Sequence, residues 1–176
     1  MATYVAFLRA INLGKNRKFP MAELRACLEA AGFGDVETHI QTGNVRLRTG
    51  SRSTAVVERR LEELFAADRG FDVPTFVLTP AELQQVYAAA QELDVDAARR
   101  YVTLLKAEPP AETAAVVDGW SAPGEGARVV GRAVHWWLEH PTVQAQFSNA
   151  LVERQLGPAT TRDLKVITTL AQRWGA

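Results

Sequence analysis

The chain has 176 residues, 47% of them hydrophobic, which suits one compact domain or two small associated halves. Its 20 basic and 20 acidic side chains balance, which excludes a whole-molecule field drawing it to nucleic acid or a membrane surface. A single cysteine excludes an intrachain disulfide framework, and no run approaches the roughly 18 apolar residues of a membrane span.

The opening MATYVAFLRAINL has Arg9 interrupting a short apolar run and no signal-peptide layout, so a cytoplasmic protein is expected. Residues 3–9, TYVAFLR, place Tyr4, Ala6 and Leu8 on one face of a strand and Val5 and Phe7 on the other. That is the pattern of a central strand covered on both sides. A loop follows from about Ala10 to Phe19. Pro20 fits a first helical turn, Leu24, Cys27, Leu28 and Ala31 recur at i, i+3, i+4, i+7, and Gly32 offers a stop. Cys27 lies on that stripe and reads as core rather than as a reactive thiol.

Residues 35–49 read as two strands around a turn at Thr42-Gly43-Asn44, each with one apolar and one polar face. A helix from about Thr54 carries Val57, Leu61, Leu64 and Phe65 and ends at Gly70, and residues 73–79 close the unit as a strand. The order β-α-β-β-α-β is that of a ferredoxin-like split βαβ fold.

Residues 79–91 predict a connecting helix, with Thr79 and Glu82 as a capping box. A strand at 100–108, a short helix in PAETAAVVDGW and a hairpin over 127–139 turning near Gly131-Arg132 come next. A helix over 143–157 stops at Gly157-Pro158, and a last one from about Thr161 carries Leu164, Ile167, Leu170 and Trp174. The second half thus reads β-α-β-β-α-α. Element order alone, without a residue-level repeat, argues for an α+β fold of two tandem ferredoxin-like halves with mostly antiparallel sheets. Their bounds are 1–79 and 100–176, joined by a connecting helix and linker at 80–99.

Phosphate-loop, nucleophile-elbow and zinc-helix motifs are absent, and no cofactor is expected. In HWWLEH, His135 and Glu139 share a strand face but lie roughly 13 Å apart at about 3.3 Å per residue, and His140 faces away. A strand with two packing tryptophans explains the stretch better than a metal site. The RNA-recognition pattern of a basic residue, glycine and alternating aromatics is missing; Phe7 and Phe76 are the aromatics that could occupy an open sheet face.

Charge is uneven along the chain. Residues 1–22 hold Arg9, Lys15, Arg17 and Lys18 and no acid, leaving the remainder at −4. These cations fall in the opening loop, which is longer than the usual connection of about 2–6 residues and feeds a helix N-terminus, where free N–H groups favour an anion. Asn12, Gly14 and Asn16 tolerate the backbone geometry that brings amides close to a ligand. A solvated basic connection is the competing reading. In ATTRDLK, residues 159–165, Thr160 and Asp163 fit a capping box while Arg162 and Lys165 add cations to a first helical turn, where acids are preferred. That mismatch points to an anion, against the competing reading of an ordinary capped helix with solvated side chains.

On RAINLGKNRKFPMAELRACLEAAGF, IQTGNV and ATTRDLKVITTL, the chain closely resembles the bacterial domain-of-unknown-function family 1697. The resemblance spans nearly the whole chain and is most specific over residues 4–45. It implies a two-part α+β fold and brings no agreed reaction, substrate or cofactor. Matching motif positions are Arg9, Ile11, Asn12, Gly14, Lys15, Asn16, Gln41, Gly43, Asn44, Thr160, Thr161 and Arg162. Ala10 stands where the family's loop has glycine, Thr42 where it has serine, and Asp163-Leu164 where it has Asn-Trp.

The expected function is therefore an anion-binding module for a phosphate-bearing small molecule or nucleic acid. Its site would gather Arg9, Asn12, Gly14, Lys15, Asn16, Gln41, Asn44, Thr160, Thr161 and Arg162 at element ends. One alternative is a small enzyme on a phosphorylated or acidic substrate, with Lys15 or Arg162 stabilising charge and only Asp163, Thr161 and His39 as base or nucleophile. Another is an interaction scaffold, a homodimer through Trp136 or Trp137. No membrane partner is expected.

Overall fold

Strand β1 (Ala2–Leu8) is the pivot of the first of two units in the computed structural model, which describes residues 1–176. That unit comprises Met1–Leu83 and Trp174–Ala176; the second is Gln84–Arg173. After β1 come α1 (Met21–Ala30), β2 (Gly34–His39), β3 (Asn44–Thr49), α2 (Thr54–Arg69) and β4 (Thr75–Leu78). The four strands form an antiparallel sheet in the order β2-β3-β1-β4. Tyr4, Ala6 and Leu8 pack with Leu24 and Leu28 of α1 and with Leu61 and Phe65 of α2. Val5 and Phe7 on the other face are also fully buried, as the double-sided apolar pattern of this strand requires.

Helix α2 starts and stops where its sequence says it should. The Ser53 hydroxyl accepts the Val56 N–H, and Gly70 ends the helix in left-handed geometry. Two glutamates one turn apart on α2 reach the outer edge of the sheet. Glu62 accepts the Thr75 N–H and Glu58 the Val77 N–H, so the edge strand β4 has its backbone donors satisfied by side chains. Trp174 is buried in this unit, its indole N–H donating to Glu37 at 3.1 Å and its ring edge-on to His39.

Helix α3 (Pro80–Glu92) begins with the expected reciprocal cap between Thr79 and Glu82. The second unit then runs β5 (Arg99–Leu105), α4 (Ala111–Asp118), β6 (Ser121–Ala122), β7 (Glu125–Val130), β8 (Ala133–Leu138), α5 (Asn149–Leu156), β9 (Ala159–Asp163) and α6 (Leu164–Trp174). Its sheet is antiparallel in the order β6-β7-β8-β5-β9. Trp136 is the centre of its core, stacked on Tyr101 at 4.3 Å and tilted against Phe147 at 5.2 Å. No helix of the chain is long and apolar enough to cross a membrane.

Two expectations for this unit need correcting. Residues 159–163 are a strand, not a helix start: Thr160 and Thr161 pair with Leu104 and Thr103, and the Thr161 and Thr103 hydroxyls meet at 2.6 Å. β-Branched threonines fit a pleated surface better than a first helical turn. The cap of the last helix moves to Asp163, which accepts the Lys165 N–H. The preceding helix is also shorter than 143–157, because the Glu125 carboxylate takes the N–H groups of Gln146 and Phe147 and holds that segment irregular until Ser148 caps α5.

Candidate functional site

The opening loop is a built structure rather than a slack connection. Ile11 and Phe19 anchor it from either end, both buried, with Phe19 edge-on to Phe65 at 5.3 Å. Between them the Asn12 side chain acts as a clamp. Its Oδ1 accepts the Phe19 N–H at 2.8 Å, while Nδ2 donates to the carbonyls of Phe19 and Gln41, each at 2.9 Å. Arg17 turns inward too, donating to the carbonyls of Ala10 and Asp72 and lying over the Phe71 ring. The backbone of Ala10, Asn12, Gly14 and Arg17 is left-handed, a conformation that three non-glycine residues keep only when surrounding bonds enforce it.

The hairpin turn between β2 and β3 forms the other half of this lip. The Gly43 carbonyl accepts the Leu8 N–H, and a Cβ at Gly43 would lie 2.8 Å from both Leu8 Cβ and Ile11 Cδ1. The buried Asn44 holds the turn by donating to the His39 carbonyl at 3.0 Å and to the Thr42 hydroxyl at 3.1 Å. The turn spans Ile40–Gly43, beginning two residues earlier and ending one earlier than expected, and Ile40 is both exposed and left-handed.

Of the residues expected to bind a ligand, the first unit brings Asn12 and Gln41 together, and Asn44 stands within the same hairpin. Arg9 begins the loop, its N–H donating to the Pro74 carbonyl. Lys15, Asn16, Gly14 and Lys18 are exposed on the loop surface. Asn12, Asn44 and Arg17 are engaged with backbone, so their first role is to shape the lip.

Thr160, Thr161 and Arg162 lie on β9 of the second unit. Arg162 is 7% exposed and donates to the Thr160 hydroxyl and the Thr161 carbonyl; burial pulls its guanidinium down to about 10, still cationic at neutral pH. Thr161 belongs to a chain of side-chain bonds in which Trp136 Nε1–H donates to Thr103, Thr103 meets Thr161, and Thr161 donates to Asn149. Arg162 is therefore no helix-start cation; only Lys165 stands in the first turn of α6.

The remaining candidates are mostly structural. His135 is buried on β8, where desolvation first and the Arg100 charge second lower its pKa to about 4. No group of three or more His, Cys, Asp or Glu that could hold a metal is present. Cys27 packs partly against the core of the first unit, and burial raises its thiol pKa. Trp136 is buried and Trp137 lies over Gly126, where a Cβ would come 2.3 Å from the indole, so both tryptophans pack within the unit. Reading the sequence also passed over Arg99 and Arg100, which line a cavity with Asp163, Leu164 and Lys165. The signal was present as two adjacent arginines opening a strand.

The observations define a two-unit α+β protein whose most specific sequence is invested in a clamped basic loop and the hairpin it grips. The chain belongs to the family described as protein of unknown function (DUF1697), whose model matches residues 1–135. It is similar to the solved structure of the conserved bacterial protein SP0830 from Streptococcus pneumoniae, with a TM-score of 0.73 at 23% identity. The match covers 100% of this chain and 99% of that one, and at this identity it speaks for the fold. No curated protein matches the chain.

Proposed function

We propose that this protein is a binding module for an anionic, phosphate-bearing small molecule or nucleic acid, and that the lip made by residues 9–19 and the turn at 40–43 receives it. We read each unit as a ferredoxin-like split βαβ, the second extended by β6 and α6. Support comes from equivalent strand orders, β2-β3-β1-β4 and β7-β8-β5-β9, and from equivalent caps. Pro20 and Pro110 precede the first helix of each unit in nearly identical conformations, and Ser53 and Ser148 cap the second with the same side-chain bond.

That correspondence carries the functional reading. In the second unit the first strand reaches its helix through residues 106–110; in the first the same connection takes residues 9–20. The fold does not need the extra length. Its inward side chains stabilise a left-handed backbone on which Lys15 and Lys18 are exposed, in a loop that Asn12 ties to the Gln41 carbonyl. Strain of about 1–3 kcal/mol per such residue, held by clamping bonds, is the signature of a preorganised contact surface.

The test is fluorescence anisotropy with a labelled nucleoside triphosphate and a labelled RNA oligomer. Replacing Lys15 and Lys18 together by Ala should weaken binding at least about tenfold, and a nucleic-acid ligand should show a steep salt dependence. Unchanged affinity in the double variant would remove the lip from consideration.

A further inference from the structure

Strand β5 outruns its neighbour β9. The two pair only as far as Tyr101, opposite Asp163, whereas β5 begins two residues earlier at Arg99. The chain turns at Asp163 into α6, and between residues 97–100 and the first turns of α6 lies a cavity of about 360 Å³. That volume falls within the range of small-molecule sites, about 300–1,000 Å³.

Its charged lining is Arg99, Arg100 and Lys165 against one acid, Asp163, with Ala98 and Leu164 as apolar wall. The cations are not equally available. Arg100 donates to the Ala90 and Leu93 carbonyls at the end of α3, and Arg99 Nη2 donates to the carbonyls of Pro141 and Val143. Arg99 Nε, however, is buried and has no acceptor, an arrangement that costs about 1–3 kcal/mol unless something completes it. Lys165 and Asp163 are exposed at the mouth. Asp163 Oδ1 accepts the Lys165 N–H.

A site for a bare anion gains nothing from Asp163, whose charge opposes it. A ligand with both an anionic group and hydroxyl donors satisfies the two signs together. We propose that the second unit carries in this cavity a binding site for a hydroxyl-bearing phosphomonoester, a sugar phosphate or nucleoside monophosphate. Lys165 holds the phosphate, the Arg99 and Arg100 charges in the lining favour it, and Asp163 accepts from a hydroxyl. The site is built wholly from residues of the second unit and does not rest on the reading of the lip at residues 9–19.

Isothermal titration of the full chain with ribose 5-phosphate, adenosine monophosphate and inorganic phosphate tests it. At least one ester should bind about tenfold more tightly than inorganic phosphate. Lys165→Gln, at an exposed position, should weaken ester binding about tenfold. Asp163→Asn keeps a capping side chain and should weaken the ester while tightening inorganic phosphate. Thermal melting checks that both variants stay folded. Absence of binding by either ester, affinity indifferent to Lys165→Gln, or inorganic phosphate weakened by Asp163→Asn would each overturn the assignment. Ester binding lost when Lys15 and Lys18 are replaced but kept in Lys165→Gln would overturn it in favour of the lip. Loss in Lys165→Gln alone supports it whatever the lip binds.

Discussion

Ala10, at φ 56°, occupies a backbone conformation that disfavours any residue with a Cβ, and Gly43, at φ 81°, occupies one it needs. The pair makes a residue-scale prediction with opposite signs. Left-handed geometry costs a non-glycine residue roughly 1–2 kcal/mol, partly offset by the greater freedom glycine has when unfolded. Ala10→Gly should therefore raise stability by roughly 0.5–1 kcal/mol, seen as a higher midpoint in urea. Gly43→Ala should lower it by about 2–4 kcal/mol, because the new methyl meets the Leu8 Cβ, which has no room to move. Equal midpoints for Gly43→Ala and the parent protein would mean that the loop and hairpin are not packed together as described.

At the scale of elements, one edge of each sheet is covered by glutamates from the preceding helix. Glu58 and Glu62 of α2 take N–H groups of β4, and Glu153 of α5 takes the Ala159 N–H of β9. Exposed edge donors are a template for pairing with another chain. Glu62→Ala should lose about 1–3 kcal/mol and scatter more light on warming, whereas Glu62→Gln retains an acceptor and should recover most of both. Identical scattering by the Ala and Gln variants would dissociate this glutamate from edge protection. These long-range partners also mark how far the sequence could be read. The stripe of α2, the Thr79–Glu82 cap and the two-faced β1 are local patterns, and each forms as its residues suggest. Strand β9 was hidden because Thr160 and Asp163 also satisfy a helix cap, and only pairing with β5, some 60 residues earlier, decides between them. The similar caps at Pro20 and Pro110, and at Ser53 and Ser148, were invisible because the intervening connections differ in length. In the lip, the exposed lysines were legible as loop residues. The inward turn of Asn12 and Arg17 was not, since a loop has no period from which to tell inside from outside. Arg99 and Arg100 acquire a role only once β5 is known to extend past β9.

For the molecule as a whole, acid should reach the second unit through one buried ring. Both nitrogens of His135 are buried without hydrogen-bond partners, and desolvation together with Arg100 brings its pKa from 6.5 to about 4. The unfolded chain therefore binds a proton on this ring at a pH where the folded chain refuses it. The corresponding stability is fully present above pH 6.5 and is lost as pH falls toward 4, about 3 kcal/mol in all. His135→Leu should melt with a shallower dependence on pH across that window than the parent protein; parallel curves would show that the imidazole is not the group responsible. The carboxylates titrate in both proteins, so the difference between the two curves isolates the ring.

Trp174 has a consequence for how the protein is made. It packs with Glu37 and His39 in the first unit, yet the chain supplies it only after the whole of Gln84–Arg173. On the ribosome, the part translated first must wait with an unfinished edge at β2 until the whole second unit has been synthesised. The first unit, although made first, is thus completed no sooner than the second, since Trp174 directly follows Arg173.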